Sequence, residues 1–299
     1  MKIQKIIISG SSNLEFAQAL SKNKNIELGD VEISYFANKE KRIKILADVK
    51  DKEVIIVQSG CGCADQYLIE TCLLSNAAKE MGAKKISLVM PWLSYSPQDK
   101  IFLKGEPLSS KVVINILEQT EIKKFYYFDL HSEKVLDFFH KPFENLSTEP
   151  LFIDYFNRTI KDKRNWVVLG VDKGDYKKAG KIAKKLKLDL IKLSKTRDLN
   201  TGEVTFLDIE GSVKGKNVVA FDDFVSTGQT LVKSADYIKS KGALKYYFCV
   251  THVIVENALP LIMNSKIDKL ITTNTIHLPT IVQYDKAEVL DVSELVLLK

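Results

Sequence analysis

The run VVAFDDFVSTGQTL (218–231) sets two carboxylates beside a loop rich in hydroxyl groups. Residues 218–221 read as a buried strand with Asp222 and Asp223 at its carboxyl end. Ser226, Thr227, Gly228, Gln229 and Thr230 then turn into a helix whose apolar residues are Leu231, Ala235 and Ile238. Backbone N–H groups, hydroxyls and a helix N-terminus together make a ready phosphate site. Two carboxylates touching that phosphate would repel it. They fit better as acceptors for two neighbouring sugar hydroxyls, so the stretch describes a site for a pentose 5-phosphate.

Three further segments place polar groups at strand ends, where open parallel sheets bind ligands. Asp172-Lys173-Gly174-Asp175 follows WVVLGV; its glycine admits close backbone approach, and Asp172 suits Mg²⁺, which takes few protein oxygens and keeps room for phosphates. Asp129-Leu130-His131 closes another strand and puts an imidazole on the same kind of edge. The polar stretch 194–204 carries Lys195 and Arg197 and has no periodicity, so a mobile loop is expected there. Two cations on such a loop would neutralise charge developing on a transferring phosphoryl group.

The elements that must hold these residues recur along all 299 positions. Short apolar runs (6–9, 53–59, 86–91, 125–132, 166–172, 189–193, 218–223, 246–252, 269–274) alternate with helical patterns near 65–81, 109, 176–186 and 230–240. Residues 31–36 and 42–46 alternate with period two and predict a hairpin, and Ser12 with Glu15 predicts a capping box. Strands separated by helices imply parallel sheets covered on both faces. The predicted fold class is therefore α/β, with two domains of similar architecture dividing at KPFENLSTEP (141–150): 1–145 and 146–299, the extreme C-terminus packing back on the first.

Composition narrows the partners. A hydrophobic fraction of 45% with 27% charged residues is that of a globular chain, and the net charge of +6 comes from scattered lysines. KKAGKIAKKLK (177–187) has no interleaved aromatics and reads as the solvated face of a helix, which argues against nucleic acid. Cys61-Gly62-Cys63 is too tight for a zinc half-site, so Cys61, Cys63, Cys72 and Cys249 are expected to be free thiols. MKIQKIIISG opens as a strand rather than a secretion signal, and no apolar run approaches the ~18 residues that span a bilayer. A cytoplasmic protein without membrane partners is expected.

DDFVSTGQT resembles the phosphoribosyl pyrophosphate (PRPP) loop shared by type I phosphoribosyltransferases and PRPP synthetases. QDKIFLKGEPLSSK (98–111), FDLHSEKVLDFF (128–139), NLSTEPLFIDYF (145–156) and LSKTRDLNTGEV (193–204) lie in the order in which PRPP synthetases carry similar segments. The likeness covers essentially the whole chain and points to that family, ribose-phosphate pyrophosphokinase, with its duplicated phosphoribosyltransferase-like fold. It implies Mg²⁺-dependent transfer of pyrophosphate from ATP to ribose 5-phosphate, giving PRPP and AMP for nucleotide biosynthesis, in a homo-oligomer. Position by position, the resemblance implies ribose 5-phosphate binding by Asp222, Asp223, Ser226, Thr227, Gly228, Gln229, Thr230 and Arg197. Lys195 and Arg197 become the catalytic cations, and His131 and Asp172 the metal ligands. Gly174 and its neighbours line the pyrophosphate pocket, while Phe36, Asn38, Lys39, Glu40, Pro97 and Gln98 face ATP.

The chain departs from the family pattern mainly at the nucleotide. Phe36-Ala37-Asn38-Lys39-Glu40 stands where Phe-Ser-Asp-Gly-Glu is usual, and Pro97 stands where an arginine precedes the glutamine. Proline offers neither charge nor N–H. Lys39 or Lys100 supplies positive charge there only as a point charge, without the fork of arginine. Ser226 replaces an acid, and Asp175 stands where a small residue is usual. Two other readings follow from these departures and from the shared loop: a non-catalytic homologue that joins an active partner, and a transferase that consumes PRPP.

Overall fold

Five-residue apolar runs become interior strands because both faces of each are covered. In a computed structural model that describes residues 3–171, 176–197 and 204–298, the chain forms two compact units. One takes the residues up to Ser147 together with Asn274–His277 and those from Asp291 onward; the other takes Thr148–Thr273 and Leu278–Leu290.

The first unit runs β1 (Lys5–Ser9), α1 (Leu14–Lys24), β2 (Glu27–Gly29), β3 (Val31–Tyr35), β4 (Lys41–Ile45), β5 (Glu53–Val57), α2 (Ala64–Glu80), β6 (Lys85–Val89), α3 (Ser109–Glu118), β7 (Lys124–Phe128), α4 (Glu133–Leu136) and β8 (Phe143–Leu146). Its main sheet has six parallel strands in the order β2-β1-β5-β6-β7-β8. β3 and β4 form a separate antiparallel hairpin, as their alternation predicts. The core packs Ile6, Ile8, Val54, Ile56, Leu88, Phe125 and Tyr127 against helical residues such as Leu68 and Leu74 of α2 and Ile114 and Leu117 of α3.

The second unit runs α5 (Glu149–Thr159), β9 (Trp166–Gly170), α6 (Tyr176–Leu186), β10 (Asp189–Arg197), β11 (Val204–Glu210), β12 (Asn217–Val225), α7 (Gln229–Ser240), β13 (Lys245–Val253), α8 (Leu259–Met263), β14 (Lys269–Thr273) and β15 (Ala287–Leu290). Its seven strands are ordered β11-β10-β9-β12-β13-β14-β15, all parallel but for the β10–β11 edge pair. Phe156 meets Trp166 edge to face at 5.1 Å over a core that includes Val168, Val219 and Ile271.

The duplicated α/β architecture is visible in the strand orders. Numbered within each unit along the chain, with the antiparallel β11 left out, the parallel strands of both sheets read second-first-third-fourth-fifth-sixth. In both, extra β-structure enters between the second and third strands: the β3–β4 hairpin in one unit, β11 in the other. The order reverses between β1 and β5 in the first unit and between β9 and β12 in the second, and crevices for ligands form at the carboxyl ends of such pairs.

Three local expectations need correction. Asn13, not Ser12, caps α1, accepting from the N–H of Phe16 at 3.1 Å; the Ser12 hydroxyl instead donates to Gln58 Oε1 at 2.6 Å. The strand through 218–221 does not stop at the aspartates but continues to Val225, because β13 stays paired with it as far as Val225↔Val253. The polar stretch after residue 193 is not simply a loop: β10 extends through Arg197 and pairs with β11. No described helix is long and apolar enough to cross a membrane.

Candidate active site

β12 loses one neighbour partway along its length. Its pairing with β9 ends at Ala220↔Leu169, while its pairing with β13 runs five residues further. Asp222 and Asp223 therefore sit where the strand is still paired with β13 but its pairing with β9 has ended. Both are half-buried. Asp222 Oδ1 accepts from the Asp223 N–H at 2.7 Å, which fixes the first carboxylate against the backbone. The second is ion-paired with Lys178 of α6. Sequence reasoning missed this lysine: it belongs to the run read as a solvated face, and its partner lies 45 residues away.

The hydroxyl-rich turn that follows is held open by Gly228, whose φ of +77° places it in the left-handed region at the cap of α7. A Cβ there would lie 2.8 Å from Cγ1 of the fully buried Ile262. No side chain caps α7, so its opening turn presents backbone N–H groups beside Ser226 and Thr227, the arrangement that receives an anion. Gly228→Ala is expected to destabilise the second unit by ~2–3 kcal/mol, left-handed strain and overpacking acting together. Denaturant titration checks this.

Lys195 and Arg197 lie on β10, separated from β12 by the single strand β9. The β10–β11 register steps between Ser194↔Asp208 and Lys195↔Phe206, a bulge that leaves Leu207 as the extra residue and re-aims the strand just where the cations begin. The Phe206 ring meets Tyr237 of α7 at a 38° tilt with centres 5.6 Å apart, which fastens this arm to the helix that follows the hydroxyl-rich turn. The side chain of Arg197 lies outside the described residues, as do Asp172, Gly174 and Asp175.

In the first unit, Asp129 follows β7 with φ +38°, an unusual conformation for a residue with a side chain, and its N–H donates to Leu146 O at 3.0 Å. Leu130 N–H donates to Asn145 Oδ1 at 3.0 Å. This strained turn delivers His131 to the protein surface at the carboxyl edge of the sheet.

The other first-unit candidates fall on two segments. Phe36, Asn38, Lys39 and Glu40 form the tip of the β3–β4 hairpin, closed by Phe36 N–H to Glu40 O at 2.8 Å and Lys39 N–H to Phe36 O at 2.8 Å. The Arg42 guanidinium lies 5.9 Å from the Phe36 ring centre, a cation beside the aromatic that sequence reasoning did not pick out. Lys39 has φ +68°, so the tip asks for the glycine that it lacks. Lys39→Gly is expected to raise stability by ~0.5 kcal/mol, the relief of left-handed strain outweighing the added freedom of the unfolded chain, measurable as a higher melting temperature.

Pro97 and Gln98 lie before α3. Gln98 Oε1 accepts from Ser109 Oγ at 2.6 Å, and Gln98 O accepts from Ser110 Oγ at 2.9 Å, so the segment is tied to the helix start. Lys100 sits with its Nζ 4.8 Å from the Phe102 ring centre. The first turn of α2 bonds residues just outside both segments. Asp65 Oδ1 accepts from Tyr95 OH at 2.5 Å, a bond that pushes the Tyr95 pKa up, and Gln66 Oε1 accepts from Tyr35 OH at 3.4 Å. Among the described residues, no three His, Cys, Asp or Glu side chains gather into a preformed metal cluster.

Comparison with known proteins identifies the family. Residues 5–120 match a family model described as the N-terminal domain of ribose phosphate pyrophosphokinase, and residues 198–298 match the phosphoribosyl synthetase-associated domain. A ribose-phosphate pyrophosphokinase of Helicobacter hepaticus is 33% identical over 290 residues, 97% of this chain and 92% of that protein. One of Streptococcus agalactiae is 34% identical over 290 residues, 96% of this chain and 89% of that protein. The fold is that of the phosphoribosylpyrophosphate synthetase from Mycobacterium smegmatis, with a TM-score of 0.88 over 97% of this chain and 95% of that one at 24% identity. With the duplicated strand order, the acid-bearing β12 and one-third identity to these enzymes over nearly the whole chain, the chain belongs to the ribose-phosphate pyrophosphokinase family.

Proposed function

We propose that this enzyme transfers a pyrophosphoryl group from ATP to the anomeric hydroxyl of ribose 5-phosphate, releasing AMP and PRPP. The observation that carries the reading is the β12–α7 corner: two half-buried acids on a strand that has outrun β9, followed by a glycine-opened turn and an uncapped helix start. A diol and a phosphate at opposite ends of one small sugar match that pair of features.

In this reading Asp222 accepts from the ribose hydroxyls. Asp223, already neutralised by Lys178, shapes the floor beside it. Residues 226–230 hold the 5-phosphate through N–H and hydroxyl donors. The anomeric oxygen attacks the β-phosphorus while the bond from that phosphorus to the bridging oxygen of AMP breaks. Positioning and positive charge do most of the work in such a transfer, and Lys195 and Arg197 supply the charge. Phe36, Asn38, Lys39, Glu40, Pro97 and Gln98 face ATP.

Mg²⁺ fits the donor set. A hard dication bound largely by phosphate oxygens and water needs only one or two protein ligands, a demand that Asp172 and the surface-exposed His131 would meet. When bound, the ion neutralises the polyphosphate and polarises its oxygens.

The enzyme works as a homo-oligomer in the cytoplasm. The consecutive exposed side chains of Ile101, Phe102 and Leu103 support self-association, and four free cysteines suit a reducing compartment. Incubation with ATP, ribose 5-phosphate and Mg²⁺ should yield AMP and PRPP in equal amounts. No turnover with any nucleoside triphosphate would overturn the reading.

A further inference from the structure

The first unit has its own strand-order reversal, between β1 and β5, and the crevice at the carboxyl ends of that pair is filled from within. The carboxylate of Glu70, fully buried on α2, reaches into it. Glu70 Oε1 accepts from the Ser11 N–H at 2.6 Å and from Gln58 Nε2 at 2.7 Å; Oε2 accepts from Ser11 Oγ at 2.8 Å. Ser11 follows β1 and Gln58 follows β5, so one carboxylate closes both strand ends. The packing leaves no slack: a Cβ on Gly10 would lie 2.7 Å from Glu70 Oε1 and 2.4 Å from Gln58 Oε1.

The remaining partner of Glu70 is the Lys41 ammonium, with a side chain only 5% exposed. It lies 5.6 Å and 5.5 Å from the ring centres of Tyr35 and Tyr67. Lys41 opens β4, immediately after Glu40 at the hairpin tip, and Tyr35 closes β3, immediately before Phe36. Both stems of the tip are thus gripped at one point. Gln66, one turn earlier on α2, takes Tyr35 OH, and Asp65 takes Tyr95 OH from the loop before Pro97.

We propose that Glu70 is a positioning residue for the nucleotide: through Lys41, which begins the strand leaving the Phe36–Glu40 tip, it holds that tip in register with α2, whose first turn also bonds Tyr95 just before Pro97. The inference rests on the proposed role of those segments. A buried ion pair contributes little to stability when its two members are replaced together, whereas loss of one member strands the other charge. A register-setting role gives the charges of this pair a use that stability does not require.

The test uses the whole enzyme with ATP and ribose 5-phosphate varied separately. The double variant Lys41→Met/Glu70→Gln removes both charges at similar volume. It is expected to melt within a few degrees of the unsubstituted enzyme, to raise KM for ATP about tenfold, and to leave KM for ribose 5-phosphate within twofold. Lys41→Arg keeps a cation over the two tyrosines and should keep KM for ATP within about threefold. Glu70→Gln alone should melt markedly lower. If the unsubstituted enzyme turns over and the double variant shifts both KM values equally, or neither, the positioning role is overturned and the functional reading stands. If the unsubstituted enzyme does not turn over, both fall together.

Discussion

Lys195→Ala is expected to lower kcat about a thousandfold and to leave the affinity for ribose 5-phosphate within a few fold. Negative charge shifts onto the departing oxygens as the pyrophosphoryl group moves, and a cation placed to meet that charge acts mainly in the transition state. Loss of such a group costs ~4 kcal/mol, or ~10³ in rate. Lys195 sits on a paired strand at a bulge rather than on a loose segment, so its truncation should leave the melting temperature nearly unchanged. Initial rates of AMP release at saturating substrates give kcat, and calorimetry with ribose 5-phosphate gives the affinity. A kcat within tenfold of the unsubstituted enzyme would remove Lys195 from the mechanism.

The second large effect belongs to the sugar. Asp222→Ala should weaken ribose 5-phosphate binding at least a hundredfold, since two hydrogen bonds to a charged acceptor are lost at ~1.5 kcal/mol or more each. Asp222→Asn keeps one acceptor and should fall between. Asp223→Ala should weaken binding less than Asp222→Ala, because its carboxylate is already engaged by Lys178. Titration calorimetry with the sugar phosphate alone separates this from any nucleotide effect. Equal losses at the two positions would contradict the division of roles.

What the sequence disclosed follows from burial. β1, β5, β6, β7 and β9 are interior strands with nearly every residue buried, and such runs announce themselves as unbroken apolar stretches. β8 and β15 are four-residue edge strands and β2 has three residues, too short and too polar for any periodicity to show. β11 escaped because its pairing with β10 is a tertiary fact; the polar letters of 194–197 look the same in a loop.

The candidate site divides in the same way. The β12–α7 corner is contiguous in sequence, so its acids, hydroxyls and glycine could be read together. Lys178, Arg42 and the Lys41–Glu70 pair act across turns of the fold, and no spacing rule links them. One signal was available for Glu70: an acid inside the buried stripe of α2, between Leu68 and Leu74. The departure at Lys39 was visible as a missing glycine, and the positive φ explains why the family places one there.

The first unit also borrows from the far end of the polypeptide. Asn13 Nδ2 donates to Asn274 O at 2.9 Å, Ser59 Oγ to Thr275 O at 3.0 Å, Asn23 Nδ2 to Ser293 Oγ at 2.7 Å and Lys5 Nζ to Leu298 O at 2.7 Å, while Val292 and Val296 are fully buried. A ribosome delivers this unit's strands first and its closing segments last, with more than a hundred residues of the other unit made in between. The N-terminal half must therefore wait on the ribosome with an unfinished edge, whereas the second unit, interrupted only by 274–277, has all its strands in hand once β15 emerges. Nascent chains halted after residue 150 should still be open to protease when the same segment in the released protein is resistant.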